Sequence, residues 1–266
     1  MSLKTANKIL DYSKRSLKQI EKSLVLNYKQ ALKEIRDKLL KLDNKDALTQ
    51  NDIRKYDRLN VMKKDIEILL KDTQTSNYNL INKIRKTVFG KAYVDSLKEF
   101  GIDISKITEA VKASIENPLF NANFKDSMKN LTKTDLTKIS NEITTGLIQG
   151  KGVKEISKAI KEKIDMSAQR AITIARTETL RAMSQGQLEA TDKMIEKGLK
   201  VRKVWSYSYH VKDSRPLHEA KDGQYADDDG YFTFSDGVIM LAPRLSGDPS
   251  HDVSCRCAYY NEIIED

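Results

Sequence analysis

Gly198 to Val211 reads GLKVRKVWSYSYHV, and within it the period of the chain changes. Before Gly198, apolar residues recur at helical steps. After it, Trp205, Tyr207, Tyr209 and Val211 alternate with Ser206, Ser208 and His210, the period of a half-buried strand. Working downstream, Tyr231–Phe234 and Val238–Leu241 flank Asp236-Gly237, a two-residue hairpin signal. The fold class expected is therefore α+β: predominantly long N-terminal helices followed by a small C-terminal module with antiparallel strands.

Working upstream, the first 117 residues contain no proline. Leu10, Leu17, Ile20, Leu24, Leu32, Ile35, Leu39 and Leu42 follow steps mostly of three, four or seven, which predicts one long amphipathic helix. Thr49, with Asp52 three residues on, is placed to cap a second helix, striped by Ile53, Tyr56, Leu59, Met62, Ile66, Leu69 and Leu70. A further helix is expected from about Tyr78 to Phe100, closed by Gly101. Residues 117–131 form a composition break, with Asn117-Pro118, Asn121 and Asn123; Pro118 biases Asn117 away from helix. Short helices are expected at 132–148 and 152–164, separated by Gly150 and Gly152. Ser167 is placed to cap a longer helix running to about Lys197 and ending at Gly198. The helices carry too much polar surface to stand alone, so they form a bundle or pack on copies of the same chain. Three regions result: an elongated basic helical region at 1–117, a linker and connecting helix at 118–149, and an α+β module at 150–266.

Charge follows these regions. Residues 1–100 hold 23 basic and 13 acidic side chains, residues 101–200 hold 17 and 13, and residues 201–266 hold 7 and 12. A basic front and an acidic tail permit contact with a polyanion or with a partner of mixed charge, and are equally consistent with solvated lysine-rich faces. Lys14, Arg15, Lys18 and Lys22 form one basic cluster, Arg54, Lys55, Arg58, Lys63 and Lys64 a second, and Lys83, Arg85 and Lys86 a third. Such groups grip the phosphates of double-stranded DNA without reading sequence. No secretory signal is expected, and no apolar run reaches the roughly 18 residues of a membrane span.

The two cysteines of the chain are Cys255 and Cys257. Their number excludes a disulfide framework and fits an intracellular setting. With His218 upstream and His251 four residues before the pair, they can supply the N/S set of a structural zinc site. His218, Cys255 and Cys257 are the principal ligands expected; His251 and Asp213 compete for the fourth place. The alternative is a closed loop in which His218 bonds Asp213 or a carbonyl and the cysteines are simply buried. A Cys/His hydrolase built on His218 or His251 is the enzymatic alternative. Asp213 and Arg215 suit a fork-like salt bridge or a backbone clamp. Asp227-Asp228-Asp229-Gly230 lacks the glutamate that a calcium hand needs at its last position, and reads as an acidic turn.

From about Gly150 to Tyr260 these motifs stand in an order that resembles the phage head-morphogenesis or minor head proteins, the Mu F-like family. The elements are the short helix from Gly152 to Ile164, the helix segment Ile174-Ala175-Arg176-Thr177-Glu178-Thr179, and Trp205. Then come Asp213-Ser214-Arg215-Pro216-Leu217-His218, Asp222-Gly223, Pro243 and Cys255-Arg256-Cys257. The resemblance implies a low-copy protein of a tailed-phage procapsid, made in the host cytoplasm and held inside the virion head. It implies association with the portal and other head components, with delivery alongside the DNA in some members. Where such members carry Asn or another polar residue four before the first cysteine, this chain has His251. No catalytic residue is implied. A virion-delivered Cys/His enzyme or a nonspecific DNA-binding protein is the alternative.

Overall fold

The computed structural model describes residues 2–43, 53–102, 118–149, 151, 153–209 and 215–264. Four long helices come first: α1 (Leu3–Asp43), α2 (Ile53–Glu99), α3 (Pro118–Ile148) and α4 (Val153–Glu196). A module of short elements follows: β1 (Val201–Ser206), α5 (Pro216–Glu219), β2 (Phe232–Thr233), β3 (Ile239–Met240), α6 (Pro249–Asp252) and β4 (Ala258–Ile263). The expected α+β class, long helices first and antiparallel strands last, is what forms.

The chain makes two compact units. One comprises Met1–Gln19, Ile81–Asn123 and Thr173–Asp266; the other comprises Ile20–Leu80 and Phe124–Ile172. In the second unit, Ile20, Leu24, Ile35 and Leu39 on α1 are buried at helical steps, as are Ile66 and Leu70 on α2, Met128 and Leu131 on α3, and Ile156, Ile160 and Ile164 on α4. Each such side chain contributes about 1.5–3 kcal/mol.

Three expected helix boundaries are absent. The stretch from Lys71 to Asn77 has no apolar residue, which made α2 read as two helices. Its core positions are polar but buried: Gln74 donates to Tyr28 Oη and Asp135 Oδ2, and Asn77 Oδ1 accepts from Asn27. Ser167 does not cap a helix. It lies inside α4, where its hydroxyl meets Lys163 O at 2.9 Å and Asp135 Oδ1 at 2.5 Å. The Asn-rich break at 117–131 is helix from Pro118 onward. Asparagine costs a helix less than about 1 kcal/mol, and buried Phe124, Met128 and Leu131 outweigh it. Thr49, Asp52, Asn117, Gly150 and Gly152 lie outside the described residues.

Helix ends were better foreseen. Gly101 closes α2 at φ +67° and Gly198 closes α4 at φ +84°, both left-handed conformations that glycine adopts freely. The strand after Gly198 begins and ends earlier than expected. It pairs antiparallel with β4, Val201 opposite Ile263 and Ser206 opposite Ala258, while Tyr207 and Tyr209 lie beyond it. The hairpin forms with Phe232 opposite Met240 and Thr233 opposite Ile239, and Gly237 sits at φ +87°. A core of Trp205, Phe232, Phe234, Met240, Cys255, Cys257 and Tyr259 fills this module.

α4 carries the module on its second half. Ser254 N donates to Thr177 Oγ1, Arg244 to Ser184 Oγ, and Asn261 Nδ2 to Thr191 Oγ1, which also meets Tyr259 Oη. Gly186 on α4 lets the backbone of α2 approach: a Cβ there would stand 2.5 Å from Phe89 O.

Candidate metal centre

Pro216 opens α5, where its fixed φ suits the first turn. Two residues on, His218 points fully inward. Its ring meets Trp205 edge-on at 5.4 Å and tilts against Phe234 at 5.2 Å. From the other side, Ser254 adopts φ +60° and hands the chain to Cys255 and Cys257 just before β4. Extended backbone sends residues two apart to one face. Cys255, Cys257 and Tyr259 are accordingly all buried.

Both cysteine sulfurs lie 3.5 Å from His218 Nδ1. The three ligand atoms fall within 4.8 Å of one another. A tetrahedral ion with bonds of about 2.3 Å to sulfur and about 2.05 Å to nitrogen sets each N···S edge near 3.6 Å. The donor set fits such an ion in type and in spacing.

Charge at the centre is prepared in advance. The Cys255 thiol is pushed well below its ordinary range, foremost by a hydrogen bond from Cys257 and also by His218 and Arg244. The same bond, with burial, pushes Cys257 up. Arg244 lies completely buried behind them, at φ +70°. Its Nη1 donates to the carbonyls of Cys255 (3.2 Å) and Cys257 (2.6 Å), and its Nη2 to Ser184 Oγ (2.6 Å). Burial lowers the Arg244 pKa, against the opposing pull of Cys255, Cys257 and Asp252.

Arg244 is held in turn. Arg181 on α4 donates from Nε to Arg244 O at 2.9 Å, from Nη2 to Asp252 Oδ2 at 3.2 Å, and from Nη1 to Glu178. Asp252 also accepts from Ser246 and Gly247. Glu178 also faces Arg85; burial pushes its carboxyl up, while Arg181 and Arg85 pull it down.

Arg176 lines a cavity of about 400 Å³ together with Arg215, His218, Cys255 and Cys257. Glu178 turns inward to the arginines. Arg215 clamps backbone, its two Nη atoms donating to the carbonyls of His251 and Val253. Asp222 accepts from Tyr207 N and Tyr209 Oη, each at 2.8 Å, and Gly223, at φ +72°, donates to Trp205 O. Pro243 is buried before Arg244. The Asp227–Gly230 stretch is a turn, with Gly230 N on Asp227 O and Tyr231 N on Asp227 Oδ1. His251 stands behind His218, its Nδ1 3.0 Å from His218 Nε2 and its own Nε2 2.8 Å from Asp236 Oδ2. Asp213 lies outside the described residues.

The basic clusters divide. Lys14, Arg15, Lys18, Lys22, Lys64 and Lys83 are exposed, Lys63 and Lys86 half-buried. Arg85 leaves its cluster, because it is buried against Glu178 and cannot reach a phosphate. The side chains of Arg54, Lys55 and Arg58 lie outside the description. Arg181, Asp236, Arg244 and Asp252 were missed. Their only sequence signal is a charge beside apolar or turn residues, which is indistinguishable from a surface charge.

The family described as Phage Mu protein F like protein matches residues 137–260. Over 263 residues the chain is 24% identical to the minor head protein GP7 of Bacillus phage SPP1, covering 93% of this chain and 83% of that one. It is also 36% identical over 119 residues to a protein of Enterococcus faecalis (strain ATCC 700802 / V583) named NAD(+)–arginine ADP-ribosyltransferase EFV. That match takes in 45% of this chain but only 24% of the Enterococcus protein. No solved structure matches. The resemblance read from the motifs is borne out: the chain is similar to a phage minor head protein and to the Phage Mu protein F like family. No described helix is long and apolar enough to cross a membrane.

Proposed function

We propose that this chain is a minor head protein of a tailed phage, bound to the portal during procapsid assembly and enclosed in the head with the DNA. The observation that carries this reading is similarity to a minor head protein along 93% of this chain and 83% of that one. On this reading the protein works through surfaces and turns over no substrate. The transferase name belongs to a protein of which three quarters lies outside the match, so that activity is not transferred here.

The C-terminal module is braced by zinc on His218, Cys255 and Cys257, with Asp213 the remaining candidate for a fourth ligand. Thiolates with imidazole suit this ion. Zinc supplies a cross-link between residues 218 and 257, while Arg244 offsets thiolate charge and Arg215 fixes the backbone of residues 251–253. A nucleophilic role for Cys255 is the weaker reading, since both sulfurs are equidistant from one nitrogen.

Exposed Lys14, Arg15 and Lys18 lie within five residues of one another on α1. They offer the packaged DNA a nonspecific contact whose affinity falls steeply with salt. Acidic neighbours reduce it.

Native mass spectrometry of the protein with its cognate portal oligomer tests the assembly role, a non-cognate portal serving as control. A discrete complex with the cognate portal alone is expected, and its mass gives the stoichiometry. Absence of any complex, with both proteins folded, overturns portal association.

A further inference from the structure

We propose that His251 and Asp236 are positioning residues of the metal centre, locking His218 in the Nε2–H tautomer so that its Nδ1 lone pair is presented to the ion. This rests on the zinc reading above.

Asp236 stands in the turn between β2 and β3. Its Oδ1 lies 3.3 Å from Val238 N, and its Oδ2 lies 2.8 Å from His251 Nε2. An ionised carboxylate only accepts hydrogen bonds, so His251 Nε2 carries a proton. Neutral His251 then has its lone pair on Nδ1, 3.0 Å from His218 Nε2. His218 must donate there, which leaves its own Nδ1 as an acceptor 3.5 Å from both sulfurs. With neutral rings, the opposite order sets two acceptors face to face at 2.8 Å. Both rings are buried, His218 at 1% and His251 at 3% exposure, and Phe234 packs on each at 5.2 and 5.0 Å. Rotation of either ring is therefore hindered.

The Asp-Gly hairpin thus has a second task beyond reversing the chain. Its aspartate anchors the far end of a relay leading to the ligand nitrogen. Such outer partners set the orientation and basicity of a ligating histidine, and losing one costs about 10–100-fold in metal affinity.

The test uses the full chain labelled with 15N-histidine. In the zinc-loaded protein, long-range proton–nitrogen spectra should show His218 protonated at Nε2 and metal-bound at Nδ1. His251 should be protonated at Nε2 alone and unbound. Zinc competition against a chromophoric chelator should show Asp236→Ala weakened about 10–100-fold. Asp236→Asn, which keeps an acceptor oxygen, should recover most of that loss. His251→Phe should weaken zinc similarly, and because Asp236 is exposed its variants carry the test if His251→Phe misfolds. Undiminished affinity in folded Asp236→Ala overturns the proposal, as does metal on His251 or a His251 protonated at both nitrogens. If the wild type takes up no zinc, the zinc reading fails separately. The metal-free spectra then decide the relay, and a His218 protonated at Nδ1 sinks it.

Discussion

Arg85 on α2 and Glu178 on α4 meet at 3.7 Å with side chains only 1% and 4% exposed. Removing one partner of a buried pair strands the other, at a cost of about 3–5 kcal/mol. Arg181 still serves Glu178, so Arg85→Met should lose less, about 2–3 kcal/mol. Urea denaturation measures this, and Arg85→Met combined with Glu178→Gln should lose less than the sum of the single changes. Strict additivity would mean that the pair carries no coupling.

Lys203 is buried under the Phe232 and Tyr259 rings, and its ammonium donates to Leu241 O at 2.6 Å. Burial holds its pKa down to about 8, against the pull of Asp192 and Asp227. Between that value and its ordinary 10.5, the unfolded chain keeps a proton that the native chain has released. Native stability contributed by this residue therefore rises with pH across the window, by about 3 kcal/mol. The stability of wild type relative to Lys203→Met, followed from pH 7.5 to 10.5, should climb accordingly. A flat difference would place the ammonium in contact with water.

Two glycines should respond differently to alanine. At Gly186 a methyl group would stand 2.5 Å from the backbone oxygen of Phe89, which cannot move alone. Overpacking of about 1–3 kcal/mol should exceed the roughly 1 kcal/mol gained in helix propensity. At Gly146 the nearest atoms belong to the Ile156 side chain, at 2.7 and 3.1 Å, and that side chain can shift. Thermal melts should therefore show Gly186→Ala clearly below Gly146→Ala.

Zinc uptake should be one ion per chain by elemental analysis and should vanish in Cys255→Ser or Cys257→Ser. At free zinc of 100 times the dissociation constant, binding adds about 2.7 kcal/mol to the native state. For a protein of this size that is roughly 5–10 °C in Tm, lost on chelation. Equal Tm with and without chelator would remove zinc from the account.

What could be read in advance depended on range. Gly101, Gly198 and Asp236-Gly237 act through their own backbone, so their positions were plain in the sequence. The His218–Cys255–Cys257 set was legible because its residue types are scarce here. The expected break in α2 and the Ser167 cap were misread because the partners are distant: Tyr28 is 46 residues from Gln74, and Asp135 is 32 from Ser167. A buried polar side chain has the local pattern of an exposed one until that partner is known. Arg244 was missed for the same reason: two of its acceptors are carbonyls with no side-chain signature, and the third, Ser184, is 60 residues away.

Because Val201 lies opposite Ile263, the excursion between them leaves and returns at adjoining points. Antiparallel partners stand about 5 Å apart. A polypeptide fused after Ile263 would therefore begin beside the start of the excursion, with no need to thread the folded core. The hairpin, α5 and α6 thus hang as one closed loop on the β1–β4 ladder.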